Sequence, residues 1–208
     1  MADKISPANP APLGLMGFGM TTVLLNIHNA GFFPDVGSMI LGMGIFFGGI
    51  SQMIAGVLEY KKGNTFGMTA FTSYGAFWLT LVAMLVIPKL GLAVAPPREF
   101  VGCYLFMWGL FTGLMFIGTL KSNRVLQFIF ASLTVLFMLL AVEHWAPEHF
   151  AHIIGRIAGF EGIVCGASAI YLAMAEIINE VHEKELLPIG EYSKKATQTA
   201  SAAGAEFA

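Results

Sequence analysis

Charge is what this sequence has least of. Of 208 residues, 12% are Asp, Glu, Lys or Arg, about half the share found in an ordinary soluble domain. Hydrophobic residues make up 56% and the mean hydropathy is +0.73. So few polar groups cannot cover a globular surface, and the chain is read as an integral membrane protein. The net charge is −2 and no basic tract is present, so there is no electrostatic footprint for a nucleic acid. Cysteine is scarce as well. Cys103 and Cys165 both lie in apolar runs and read as packing thiols. No group of Cys, His, Asp and Glu has metal-ligand spacing. His144, His149 and His152 are badly spaced for a common ion and read as solvated loop residues. No nucleophile–base pair or phosphate-binding loop stands out, so nothing points to an enzyme or to a cofactor. The first residues lack the layout of a signal peptide.

What is present in quantity is apolar sequence in long runs. A membrane helix needs about 20 mostly apolar residues. Six segments qualify, at 13–31, 37–60, 66–87, 99–120, 124–143 and 153–178. Pro34, Pro88, Pro96, Pro97 and Pro147 fall between them, where helices must end. The expected fold is an all-α polytopic membrane protein. Residues 1–12 are expected to form a cytoplasmic N-terminal segment, 13–182 the six-helix transmembrane domain and 183–208 a cytoplasmic tail. Lysine and arginine set this orientation. With the N-terminus inside, the inner segments hold Lys4, Lys61, Lys62, Lys121, Arg124, Lys184, Lys194 and Lys195. The outer ones hold Lys89, Arg98 and Arg156.

Polar residues inside the runs are the candidates for function, because hydrogen-bonding groups at membrane depth must face protein or water. Phe18, Thr22, Asn26 and Asn29 share one face of the first helix. Gln52 lies in the middle of the second, between glycine-rich stretches. The third carries Thr69, Thr72, Ser73 and Tyr74, and the fifth carries Ser132 and Thr134. Serine and threonine can also bond their own backbone. Neutral donors of this kind suit a small, weakly polar or monovalent solute. Glu59 and Glu176 sit near inner helix ends, within reach of the interface. Glu161 lies near the centre of the sixth helix, a candidate proton carrier or a partner of Arg156. Pairs such as Gly44/Gly48, Gly155/Gly159 and Gly162/Gly166 read as close helix packing. Tyr74 and Leu133 each lie ten residues after an asparagine, Asn64 and Asn123, in the two basic inner turns. Equal offsets place them at similar depth.

The run Asn9-Pro10-Ala11-Pro12-Leu13-Gly14-Leu15 resembles the signature of the acetate uptake transporter family, which includes succinate–acetate permeases and yeast acetate and ammonia-export relatives. The likeness continues through Phe46–Gln52, Leu58–Gly67, Thr72–Gly75 and Cys165–Tyr171, and covers about residues 9–190. The resemblance implies six membrane helices per subunit, a pore within each subunit and a homohexameric ring in the inner (plasma) membrane, in contact with lipid. It implies uptake of acetate and, less strongly, succinate, linked to protons or channel-like. It also implies a constriction of a Phe, a Tyr and a Leu, which map to Phe18, Tyr74 and Leu133, with the motif glutamine at Gln52. Glu161 departs from the pattern, which is apolar there. On this reading a monocarboxylate meets donors from Gln52, Thr22, Asn26, Ser73 and Ser132 and then passes the constriction. The alternatives are a channel for another small solute such as ammonium, or a membrane scaffold without flux.

Overall fold

The structure, a computed structural model, describes residues 8–33 and 37–191. Pro34, Lys4, Lys194 and Lys195 lie outside the described residues. Among the described residues six helices follow one another: α1 (Ala11–Asn29), α2 (Gly37–Lys61), α3 (Thr65–Val86), α4 (Arg98–Thr119), α5 (Arg124–Trp145) and α6 (Glu148–Val181). The helix ends follow local chemistry. Pro10 and Pro12 start α1, where a missing N–H costs nothing. Asn64 and Asn123 cap α3 and α5, their side chains accepting from the N–H groups of Gly67 at 3.0 Å and Leu126 at 2.7 Å. Gly63 closes α2 at φ +76°, a conformation that favours glycine.

Among the described residues five helices, α2 to α6, are long and apolar enough to cross a membrane. Helix α1 does not reach that apolarity, because Gly, Thr, Asn and His interrupt it. It is also set apart by where it packs. It runs against α6 on one side and α2 on the other, and nine of its 19 residues are buried. Small residues make this possible. A side chain at Gly166 would stand 2.8 Å from the carbonyl oxygen of Gly19, and one at Gly19 would stand 2.7 Å from that of Gly166. Gly17 meets the Phe47 carbonyl in the same way.

Two elements differ from the sequence expectation. Helix α6 begins at Glu148, and α5 runs on to Trp145, so the loop expected at 143–152 shrinks to Ala146 and Pro147. Pro147 directly precedes α6, and the three histidines lie on helix ends. His144 bonds the Leu140 carbonyl, whereas His149 and His152 are exposed on the first turns of α6. Second, α2 is not uniform. Met43–Ser51 winds as a π-helix between α-helical flanks, and the Ser51 hydroxyl donates to the Phe46 carbonyl at 2.9 Å. Such wide turns are rare and often mark functional sites. Gly44, Gly48 and Gly49 bury their backbones there.

Around the bundle the order of packing is α3, α2, α1, α6, α5, α4. Between α3 and α4 the backbones stay apart, and aromatic rings bridge the gap. Phe77 stacks on Tyr104 at 5.9 Å, and Tyr74 meets Phe111 edge-on at 5.7 Å. The close α1–α6 crossing yields a direct test. Gly166→Val should lower stability by about 2–3 kcal/mol in a thermal unfolding assay in detergent. Gly42→Ala, whose new methyl meets open space, should leave the melting temperature within a degree or two.

Candidate functional site

One chamber runs into the bundle from the end that carries Lys61, Lys62, Lys121 and Arg124. Its volume is about 370 Å³. Asn9, Lys62, Asn64, Asn123, Glu176 and Glu191 line its mouth, and Phe66, Phe71 and Phe130 line its middle. Its inner end is formed by Phe18, Gln52, Tyr74 and Leu133. Four helices deliver these last residues to one level by simple counting. Phe18 lies nine residues from Asn9 and Gln52 ten from Lys62; Tyr74 lies ten from Asn64 and Leu133 ten from Asn123. At 1.5 Å per residue this is about 15 Å, half the thickness of a bilayer's hydrocarbon core.

The inner end is apolar and tightly filled. Phe18, Tyr74 and Leu133 are 7%, 4% and 3% exposed, and the Phe18 and Tyr74 rings lie 6.0 Å apart. The Tyr74 hydroxyl points away from any solute, because it donates to Thr112 at 3.0 Å, and Thr112 in turn donates to the Trp108 carbonyl. The ring therefore presents aromatic and aliphatic surface with its hydrogen bond already spent. Gln52 sits beside it, 1% exposed, with Oε1 lacking a partner.

The other residues singled out in the sequence take different positions. Thr22 and Asn26 are buried one and two turns beyond Phe18 and do not line the chamber. Asn26 donates to the Thr22 carbonyl at 2.9 Å, accepts from Asn29 at 3.1 Å and packs on Gly162 of α6. Ser73 follows the helix round by one residue from Tyr74 and faces a separate groove between α3 and α4, with Tyr104, Trp108 and Phe111. Ser132 donates to the Glu161 carboxylate across the α5–α6 contact, next to Leu133. The second oxygen of Glu161 is buried without a partner. Arg156 does not reach Glu161; its Nε donates to the Ala30 carbonyl at 3.3 Å.

Three residues of the chamber were not expected there. Glu59 and Glu176 read from sequence as interface groups at helix ends. Glu59 is instead fully buried and lines the chamber; one oxygen accepts from Asn64 at 2.7 Å and the other has no partner. A signal did exist, for Glu59 lies seven residues after Gln52, two turns along the same face. Asn9 is the third. Its amide N–H donates to Glu176 at 2.8 Å, and its oxygen accepts from Lys62 Nζ at 2.8 Å. One asparagine thus ties the start of α1 to α2 and α6.

A six-helix membrane bundle with a chamber that opens at one end and narrows to an apolar ring at mid-depth is the architecture of a permease or channel. The chain belongs to the GPR1/FUN34/yaaH family, whose sequence pattern matches residues 2–188. It is 66% identical over 184 residues to the succinate-acetate/proton symporter SatP of Escherichia coli (strain K12), covering 88% of this chain and 96% of that one. A solved structure of the bacterial acetate channel SatP matches with a TM-score of 0.85 and 63% identity, over 88% of this chain and 99% of that one. More distant is the ammonia transport outward protein 2 of Saccharomyces cerevisiae, 37% identical over 179 residues, covering 82% of this chain and 61% of that one. These relatives are transporters and channels rather than enzymes.

Asn64 and Asn123 permit a comparison that isolates Glu59. Asn123→Ala removes a helix cap, at about 1 kcal/mol. Asn64→Ala removes a cap and also leaves the buried Glu59 carboxylate without its one partner. It should cost roughly twice as much or more, measured by thermal or denaturant unfolding of both variants side by side.

Proposed function

We propose that the chain is a membrane permease for acetate and succinate that carries protons with its solute. The observation that supports this best is the chamber within a single subunit that ends on Phe18, Tyr74 and Leu133. A small carboxylic acid fits such a path. The amide of Gln52 meets it at the narrow point, and the ring excludes larger or strongly hydrated solutes. Thr22 and Asn26, beyond the ring, are the remaining donors on this reading; Ser132, beside it, spends its O–H on Glu161. Ser73, which faces outside, contributes least. Glu161 is the candidate proton carrier, half-buried at mid-membrane with an unpartnered oxygen.

The excess of lysine and arginine at the chamber's mouth supports an orientation with that mouth and both termini cytoplasmic, in the inner membrane. Residues 13–182 are then the transport domain between two cytoplasmic segments. The exposed apolar faces of α2 (Phe46, Ile54, Val57) and α4 (Phe100, Met107, Leu114) are available to lipid and to further subunits, in keeping with a homohexamer.

Acetate flux into proteoliposomes that contain a pH-sensitive dye tests the transport reading. Wild type should exceed protein-free vesicles, and Gln52→Ala should fall at least severalfold. Phe18→Ala or Leu133→Ala should raise the flux by opening the ring. Wild type at the protein-free rate refutes the reading. In the same assay Glu161→Gln should uncouple the dye signal from labelled-acetate uptake; a signal that tracks uptake as in wild type removes Glu161 from the proton path.

A further inference from the structure

The outside and the inside of the chamber's mouth differ in sign. Lys61 and Lys121 stand exposed around it. The wall itself holds three carboxylates, Glu59, Glu176 and Glu191, against one ammonium, Lys62. A carboxylate that enters therefore faces a wall that is negative in balance. Among the described residues Lys62 is the one cation on that wall, and one of its three N–H groups is already in use. Its ammonium donates to Asn9 Oδ1 at 2.8 Å, and Asn9 Nδ2 donates to Glu176 at 2.8 Å. Part of the donor capacity at the mouth is thus already tied, through Asn9, to a carboxylate of the protein. Glu176 is a resident competitor.

Deeper in the wall, two buried atoms lack a partner among the described residues: Oε1 of Glu59 and Oε1 of Gln52, in residues 0% and 1% exposed. Both are oxygens, and a carboxylate oxygen can only accept. A solute that satisfies Glu59 must bring an O–H or N–H of its own. A fully ionised carboxylate brings none, whereas a protonated carboxyl group brings one.

We infer that Glu176 and Glu59 select solutes by charge, so that the chamber admits a dicarboxylic acid with at least one carboxyl protonated and turns away its dianion. This rests on the transport reading above and specifies the substrate form it accepts. Against the same negative wall a dianion carries twice the charge of acetate. With one carboxyl protonated it carries half that charge and donates its O–H to Glu59 or Gln52. The charged groups around this region are Glu59, Lys61 and Lys62 at the end of α2, Lys121 before α5 and Arg124 at its start, Glu176 and Glu180 on α6, and Glu191 after it; Asn9, Asn64 and Asn123 are neutral. Removing one negative charge from a partly desolvated wall should change the admission of one further unit of solute charge by about tenfold.

The experiment is uptake of labelled succinate and labelled acetate by proteoliposomes across the pH range in which the second carboxyl of succinic acid ionises. The readout is the ratio of the two uptake efficiencies. In wild type this ratio should fall as pH rises, because the dianion takes over. Glu176→Gln should raise the ratio about tenfold at the alkaline end and flatten its decline, with little effect at the acid end. Glu59→Gln should act in the same direction. Glu176→Asp, which keeps the charge, should retain the wild-type profile. If Glu176→Gln and Glu59→Gln both keep the wild-type ratio at every pH, the inference is wrong. If Glu176→Asp shifts the ratio as Glu176→Gln does, shape rather than charge is responsible and the inference is equally wrong. Either result alongside normal wild-type acetate uptake leaves the transport reading standing. Absent wild-type acetate uptake overturns both.

Discussion

A helix that carries Thr21, Thr22, Asn26 and Asn29 cannot face hydrocarbon, and the rest of the bundle is arranged around that constraint. Helix α1 is enclosed by α2 and α6, and enclosure demands close approach. Gly19 and Gly166 allow it at the crossing with α6, Gly17 allows it against the Phe47 carbonyl, and Gly162 leaves room for Asn26. In lipid there is little hydrophobic force between helices, so contact of this kind is what holds them together. The same enclosure carries Phe18 to the middle of the molecule, where it closes the inner end of the chamber.

Depth along the helices is set by chemistry at their ends. Asn64 and Asn123 cap α3 and α5 at the same end of the bundle, and ten residues later each helix places a side chain on the ring. Because the rise per residue is constant, a cap at a shared level brings Tyr74 and Leu133 to a shared depth without further instruction. Gln52 reaches that depth by counting back from the end of α2. At the mouth a different device operates. Asn9 bridges Glu176 and Lys62 and joins three helices through a single neutral amide.

The chamber has a division of labour that follows from dielectric. Exposed lysines at the rim act in water, where their pull on an anion is weak and screened. The carboxylates within act where water is scarcer and charge interactions are stronger. The narrow point is neutral, with its tyrosine hydroxyl committed to Thr112. On the proposed reading a solute meets attraction, then discrimination, then an apolar ring, in that order.

Much of this was legible in the sequence. The scarcity of charge gave the class, the apolar runs gave six helices to within a few residues, and the asparagine offsets gave the common depth of Tyr74 and Leu133. The misplaced features share one cause. Ser73 lies at nearly the same depth as Tyr74 but one residue round the helix, and it faces a groove away from the chamber. Thr22 and Asn26 share a stripe with Phe18 but are buried beyond the ring, Asn26 against Gly162 of α6. Glu59 looked like an interface charge and is buried in the chamber wall. Position along a helix depends on a fixed rise and on local caps, so sequence alone determined it. Which side of a helix meets a cavity, a neighbour or lipid depends on how distant helices pack, and only the tertiary structure decided that.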